Sequence, residues 1–164
     1  MEEQLINCLD KNVECFNLKN LEFICKVTNV YDADTCRVVF FLNDKLIKYT
    51  LRLKGIDTPE IRPKSNKPNR EQEIRFAKKA RNRLIQLSTS VNIDLESDFS
   101  KSKLQKLIDE NTKLIKIYCY EFDKYGRLLA DLKESNNENC FNDILINEGY
   151  AKKYDGGTKN IWFP

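Results

Sequence analysis

Oxygen-bearing side chains gather in three short runs of this sequence: Asp32-Ala33-Asp34-Thr35, Asp57-Thr58-Pro59-Glu60 and Asp123-Lys124-Tyr125-Gly126-Arg127. Paired aspartates can hold a hard cation, which prefers oxygen donors, and a nearby glutamate can orient a water or take its proton. Arg52, five residues before Asp57, and Arg127 add two always-charged planar guanidinium groups whose forks match a phosphate. Together they make a set of two guanidinium groups, one free carboxylate and a hard-cation site. Taken singly, each run is also made of ordinary turn formers, and any one alone reads as readily as an acidic turn.

The rest of the composition narrows the chemistry. No histidine is present, which excludes Ser/His and Cys/His catalysis, histidine-ligated zinc and histidine bases. Six cysteines, at 8, 15, 25, 36, 119 and 140, form no CxxC pair and read as reduced core thiols.

The elements that must position these residues follow from periodicity. Alternation of Phe23, Cys25 and Val27 predicts a strand over Glu22 to Val30, then a turn through Tyr31 to Asp34 and a second strand from Thr35 to Leu42. Asn43-Asp44-Lys45 reads as a hairpin turn into a third strand, Leu46 to Ile56, with Arg52 on the face opposite Tyr49, Leu51 and Leu53. Pro63 and Pro68 hold a basic loop open until a helix from Glu71 to about Ser88. Two strand-like pieces, Val91 to Leu95 and Leu114 to Phe122, compete to be the fourth strand, with a short helix around Leu104, Leu107 and Ile108 between them. A last strand over Arg127 to Lys133 and a helix around Phe141 to Glu148, stopped by Gly149, complete the order.

Five strands in this order predict an α+β protein: a five-stranded Greek-key β-barrel of the OB type with two or three packed helices. At 164 residues the chain reads as one domain over 21–164, behind an N-terminal arm at 1–20 of uncertain structure. With 41% hydrophobic and 32% charged residues it is neither disordered nor membrane-spanning. The formal charge is only +3, but nine Lys/Arg against two acids crowd Ile61 to Arg83, as on a protein meeting phosphates or simply on a solvated helix face. The acidic N-terminus has no secretory pattern, so the expectation is an intracellular, cytoplasmic or virion, setting.

The three runs, in order, resemble the staphylococcal nuclease (thermonuclease) family. Its pattern of Asp-x-Asp-Thr, Arg-x-x-x-x-Asp-Thr-Pro-Glu and Asp-Lys-Tyr-Gly-Arg stands here at Asp32 to Thr35, Arg52 to Glu60 and Asp123 to Arg127, and the resemblance spans about Glu22 to Tyr154. The resemblance implies one Ca2+ ion ligated by the carboxylates of Asp34 and Asp57 and the backbone carbonyl of Thr58, with Asp32 as support or a mere turn residue. It implies Glu60 as the carboxylate that orients or deprotonates the attacking water, and Arg52 and Arg127 as the pair that grips the scissile phosphate. Substrate contacts carried over in the same way are Tyr125 beside a nucleotide phosphate or packed on the rim as a turn tyrosine, Tyr154 or Tyr150 under a base with the spacing off by about a residue, and Lys64 and Lys67 along the backbone or simply keeping the loop soluble. The implied activity is calcium-dependent hydrolysis of single- or double-stranded DNA and RNA with little sequence specificity, leaving 3′-phosphate ends, by a monomer that engages no membrane. The alternative is a catalytically silent nucleic-acid-binding or scaffold module, against which the complete motif set argues.

Three departures from the family pattern stand out. Ala33 replaces a glycine, which matters only if the turn needs positive φ. The stretch near 89–112 is longer than usual and reads as an insertion. The chain reaches Asn160-Ile161-Trp162-Phe163-Pro164 without a long final helix, so Trp162 and Phe163 are expected to cover an apolar patch instead.

Overall fold

The computed structural model describes residues 1–158 and 161–163; Asn160 and Pro164 of the closing segment lie outside the described residues. Strands β1 (Glu22–Asp32), β2 (Thr35–Leu42), β3 (Lys45–Leu53), β5 (Leu114–Phe122) and β6 (Leu128–Lys133) close into a barrel in the order β1-β2-β3-β6-β5. A two-stranded piece, β4 (Ile56–Asp57) with β7 (Lys152–Lys153), sits beside it. Among the described residues four α-helices complete the fold, α1 (Glu2–Asn7), α2 (Arg70–Ser88), α3 (Lys101–Glu110) and α4 (Phe141–Asn147), with a short 3-10 turn at Asp10–Asn12. This is the α+β, OB-type architecture expected from the strand and helix order.

Period-2 patterning builds the interior. Cys25, Val27 and Val30 of β1, Cys36, Val38 and Phe40 of β2, Leu51 and Leu53 of β3, Ile115, Ile117 and Cys119 of β5 and Leu128, Ala130 and Leu132 of β6 are all buried. Each large aliphatic among them contributes roughly 1.5–3 kcal/mol of transfer free energy. The β2–β3 hairpin turns on Asn43 and Asp44, both at positive φ (48° and 61°), as a two-residue turn with the strands' own twist requires. The amphipathic α2 lays Ala77, Ala80, Leu84 and Ile85 against the barrel, and α4 adds Phe141 and Leu145. Among the described residues no helix is long and apolar enough to cross a membrane.

Several expectations need correction. β1 runs two residues further than predicted, to Asp32, through register shifts that place bulges before Asn29 and Asp32. Val91 to Leu95 is not a strand; Leu114–Phe122 takes the fourth barrel position between β1 and β6. The third strand ends at Leu53, and Ile56–Asp57 pairs instead with Lys152–Lys153 after a turn at Lys54-Gly55. Only three of the six cysteines, Cys25, Cys36 and Cys119, are core thiols: Cys8 and Cys15 are exposed and Cys140 half-buried. Ala33 is buried and is not among the non-glycine residues with positive φ, so its turn needs no glycine.

Candidate functional site

Strand ends bring the three runs to one rim of the barrel. Thr35 lies opposite Arg52 in the β2–β3 register, and the Leu53 N–H donates to the Asp34 carbonyl at 2.8 Å, tying the Asp32 to Thr35 turn to β3. β3 and β6 pair in parallel, Leu51 with Leu128 and Arg52 with Leu129, so Arg127 arrives beside Arg52. A cavity of about 680 Å³ opens there; Asp34, Arg52, Thr58, Glu60, Tyr125, Arg127 and Tyr154 all line it. Asp57 sits against it, 1% exposed, its Oδ1 4.0 Å from Arg52 Nη2.

Arg52 carries the tightest contacts. It lies on the strand face away from the apolar set, as alternation requires, yet it is only 9% exposed because the rim folds over it. One guanidinium nitrogen is ion-paired with Asp34, while Nη2 donates to the Ile56 carbonyl at 3.0 Å. Asp34 Oδ1 also accepts from the Thr35 hydroxyl at 2.9 Å. Asp34 and Asp57, both nearly buried, lie on either side of Arg52, and Asp32 (8% exposed) and Glu60 stand at the same rim with Lys124 and Arg127.

Arg127 is oriented from its own turn. Asp123 Oδ1 accepts the N–H groups of Tyr125 and Arg127, both at 2.9 Å, and Oδ2 accepts Arg127 Nε at 2.7 Å. Burial works to raise the Asp123 pKa, but these hydrogen bonds and the Arg127 charge outweigh it and hold the carboxyl below its ordinary value. The guanidinium lies over the Tyr125 ring at 5.5 Å, and Tyr125 itself is 72% exposed at the mouth of the cavity. Gly126 closes the turn at φ 78°, its N–H on the Asp123 carbonyl.

The expected substrate residues divide. Tyr154 lines the cavity, its backbone held to the Gly55 carbonyl and its hydroxyl donating to the Gly157 carbonyl at 2.8 Å. Tyr150 does not: it packs on Phe76 of α2, with Trp162 and Phe163 on the same ring, which is the apolar patch those two cover. Lys64 is exposed and does not line the cavity, and Lys67 is ion-paired with Glu73 at 2.5 Å. The basic stretch is largely neutralised within the chain: Arg75 and Lys79 meet Glu96, Lys78 meets Asp98 and Arg83 meets Glu148.

Two contributors have no clear mark in the local sequence. Glu73, fully buried in the first turn of α2, accepts the Glu60 backbone N–H at 3.2 Å as well as Lys67, and so carries the loop that presents Glu60. Its one signal is its position: it falls on the stripe of Ala77, Ala80 and Leu84 at helical spacing. Tyr31, at the second register shift of β1, lines the cavity because the bulge re-aims it. Among the described residues no group of three or more His, Cys, Asp or Glu side chains is arranged to hold a metal ion.

The sequence matches the family model described as "Staphylococcal nuclease homologue" over residues 50–161, more than half of the chain. The matched span holds Arg52, Asp57, Thr58, Glu60 and Arg127, while Asp32 and Asp34 precede it and join the site through the β2–β3 pairing. A search of curated proteins finds no match.

Proposed function

The chain belongs to the staphylococcal nuclease homologue family, and from that premise we propose that it is a calcium-dependent nuclease hydrolysing DNA and RNA with little sequence preference. The observation that carries this reading is the convergence of Asp34, Arg52, Thr58, Glu60 and Arg127 on one cavity. The domain responsible is 21–164, with 1–20 as an appended arm and the stretch near 89–112 as an insertion.

The donors fit a hard cation in kind: Asp34 and Asp57 supply carboxylate oxygens, Thr58 a backbone carbonyl, and solvent the remainder of the usual six to eight. Bound there, Ca2+ would polarise a phosphoryl oxygen. Arg52, braced by Asp34 and the Ile56 carbonyl, meets the scissile phosphate and the charge that builds on it. Glu60 orients the attacking water or takes its proton as the new P–O bond forms. The P–O5′ bond breaks with its electron pair on O5′, where Arg127 stabilises the charge until the oxygen takes a proton from solvent, leaving a 3′-phosphate and a 5′-hydroxyl. Tyr125 and Tyr154 flank the strand; stacking on an aromatic accepts any base, in keeping with low specificity.

The test is hydrolysis of labelled single-stranded DNA and its RNA equivalent, with calcium or with EGTA, by the wild type and Glu60→Ser. Cleavage that needs calcium, yields 3′-phosphate ends and collapses in the variant is expected. Binding without cleavage in any metal would instead make the chain a nucleic-acid platform.

A further inference from the structure

Arg81 is a buried cation that the site above does not use. It is 7% exposed, its Nη2 reaches only the adjacent Asn82 Oδ1 at 3.3 Å, and its Nε has no hydrogen-bond partner. It stands in the wall of a second cavity, about 420 Å³, between β1, α2, α3 and the segment after Glu60. Arg62 and Lys101 line the same cavity, and neither is ion-paired among the described residues.

Val30, Ile61, Leu104 and Ile108 supply apolar walls, while the start of α3 adds to the pull on an anion. Lys101 and Ser102 form the first turn of α3, where N–H groups without intrahelical partners and the helix dipole both present positive charge. Ser100 caps that turn through the Lys103 N–H at 3.3 Å. Gln105 locks α3 to β1: its carbonyl accepts from Asn29 at 3.0 Å and its amide donates to the Thr28 carbonyl at 2.9 Å. The two carboxylates that feel Arg81 are engaged elsewhere, Asp98 with Lys78 at 2.6 Å and Asp32 with the Ile61 N–H at 3.3 Å, and neither lines the cavity. Burial pulls the Arg81 pKa below the usual arginine range despite them, the behaviour of a cation short of counter-charge.

We propose that this cavity is a second phosphate subsite, in which Arg81, Arg62 and the first turn of α3 take a backbone phosphate of the same strand whose neighbouring phosphodiester lies in the catalytic cavity. Tyr31 lines both cavities, so a strand crossing that ring passes from one to the other. The identity of the ligand as a nucleic-acid strand rests on the nuclease reading; the anion site rests on Arg81 and its surroundings.

Fluorescence anisotropy of a labelled single-stranded oligonucleotide of about 12 nucleotides, a length one OB fold can cover, tests this with divalent ions chelated so that no cleavage intervenes. Arg81→Gln, and separately the double variant Arg62→Ala/Lys101→Ala, are each expected to weaken binding roughly tenfold and to lower the salt slope by about 0.7 for each phosphate no longer neutralised. The preference for this strand over a dinucleotide should shrink by the same factor. Lys45→Ala/Lys48→Ala, at the far end of the β2–β3 hairpin, controls for net charge, and an equal loss there overturns the proposal. Arg62 and Lys101 are exposed, so unchanged affinity in their double variant overturns it even where Arg81→Gln fails to fold. A strand that binds through these residues but is not cut once calcium is restored supports the subsite and refutes the nuclease reading; cutting in calcium with unaltered binding in the variants does the reverse, and no binding by the wild type overturns the subsite.

Discussion

Asp34 and Arg52 form an ion pair whose side chains are only 9% and 11% exposed, at the point where the β1–β2 turn meets β3. A buried pair is expensive to form and more expensive to halve. Its value here is geometric: with one nitrogen on Asp34 and another on the Ile56 carbonyl, the guanidinium keeps a fixed orientation.

Arg52→Lys preserves the charge and loses the fork. Turnover on labelled single-stranded DNA is expected to fall ~10²–10³-fold, about 2.7–4 kcal/mol of barrier. Arg52→Ala should in addition lose about 3–5 kcal/mol of stability in urea unfolding, because Asp34 is left buried without its cation. Near-wild-type turnover by Arg52→Lys would remove Arg52 from the phosphate.

Glu73 acts through Glu60 and Lys67. Glu73→Gln keeps an acceptor for the Glu60 N–H and weakens the hold on Lys67, so kcat is expected to drop several-fold with KM little changed. Glu73→Ala removes both interactions, leaving the Glu60 N–H without this acceptor while Lys67 can turn to solvent, and should cost about 1–3 kcal/mol in stability. A rise in KM at constant kcat would show that the loop binds substrate and does not position Glu60.

Asp123 gives the fold a defined acid response. Its carboxyl, ordinarily near 3.8, is held lower in the folded state, so it contributes stability above the unfolded value that is lost as pH falls through the folded one. Thermal unfolding of the wild type should therefore decline below about pH 4 more steeply than that of Asp123→Asn, the two curves converging in acid. Parallel curves would mean that Asp123 is not coupled to folding. At neutral pH Asp123→Asn should also slow turnover by loosening Arg127.

The thiols should react in three classes. Cys8 and Cys15 are exposed and should label quickly with a thiol reagent at pH 8. Cys140 is slower, its thiol pushed up to about 11, first by burial and then by its hydrogen bond to Asp143. Burial likewise raises Cys36 to about 12 and Cys119 to about 11, and lifts Cys25 further, so these three should label only on unfolding. Fast labelling of all six in the native protein would contradict the barrel's packing.

Local sequence determined the parts of this protein whose signals are themselves local. Alternation marked the inward residues of the barrel strands, Asn43-Asp44 marked the hairpin, the three- and four-residue steps of Ile74, Ala77, Ala80 and Leu84 marked α2, and the acidic turns marked the strand ends where the site assembles. Tertiary structure decided whatever depended on a partner far along the chain. Val91 to Leu95 has a strand's alternation, but the edge it would need is occupied by β5, and amides of α2 take its carbonyls instead: Gln86 on Ile93 at 2.7 Å and Asn82 on Leu95 at 3.0 Å. Lys67 looks like a solvent-facing lysine until α2 brings Glu73 beneath it. Arg52 alternates outward from the core, yet it is buried because Asp34, eighteen residues before it in the chain, closes over it. Periodicity tells a residue which way to face; only the closed barrel determines what it meets there.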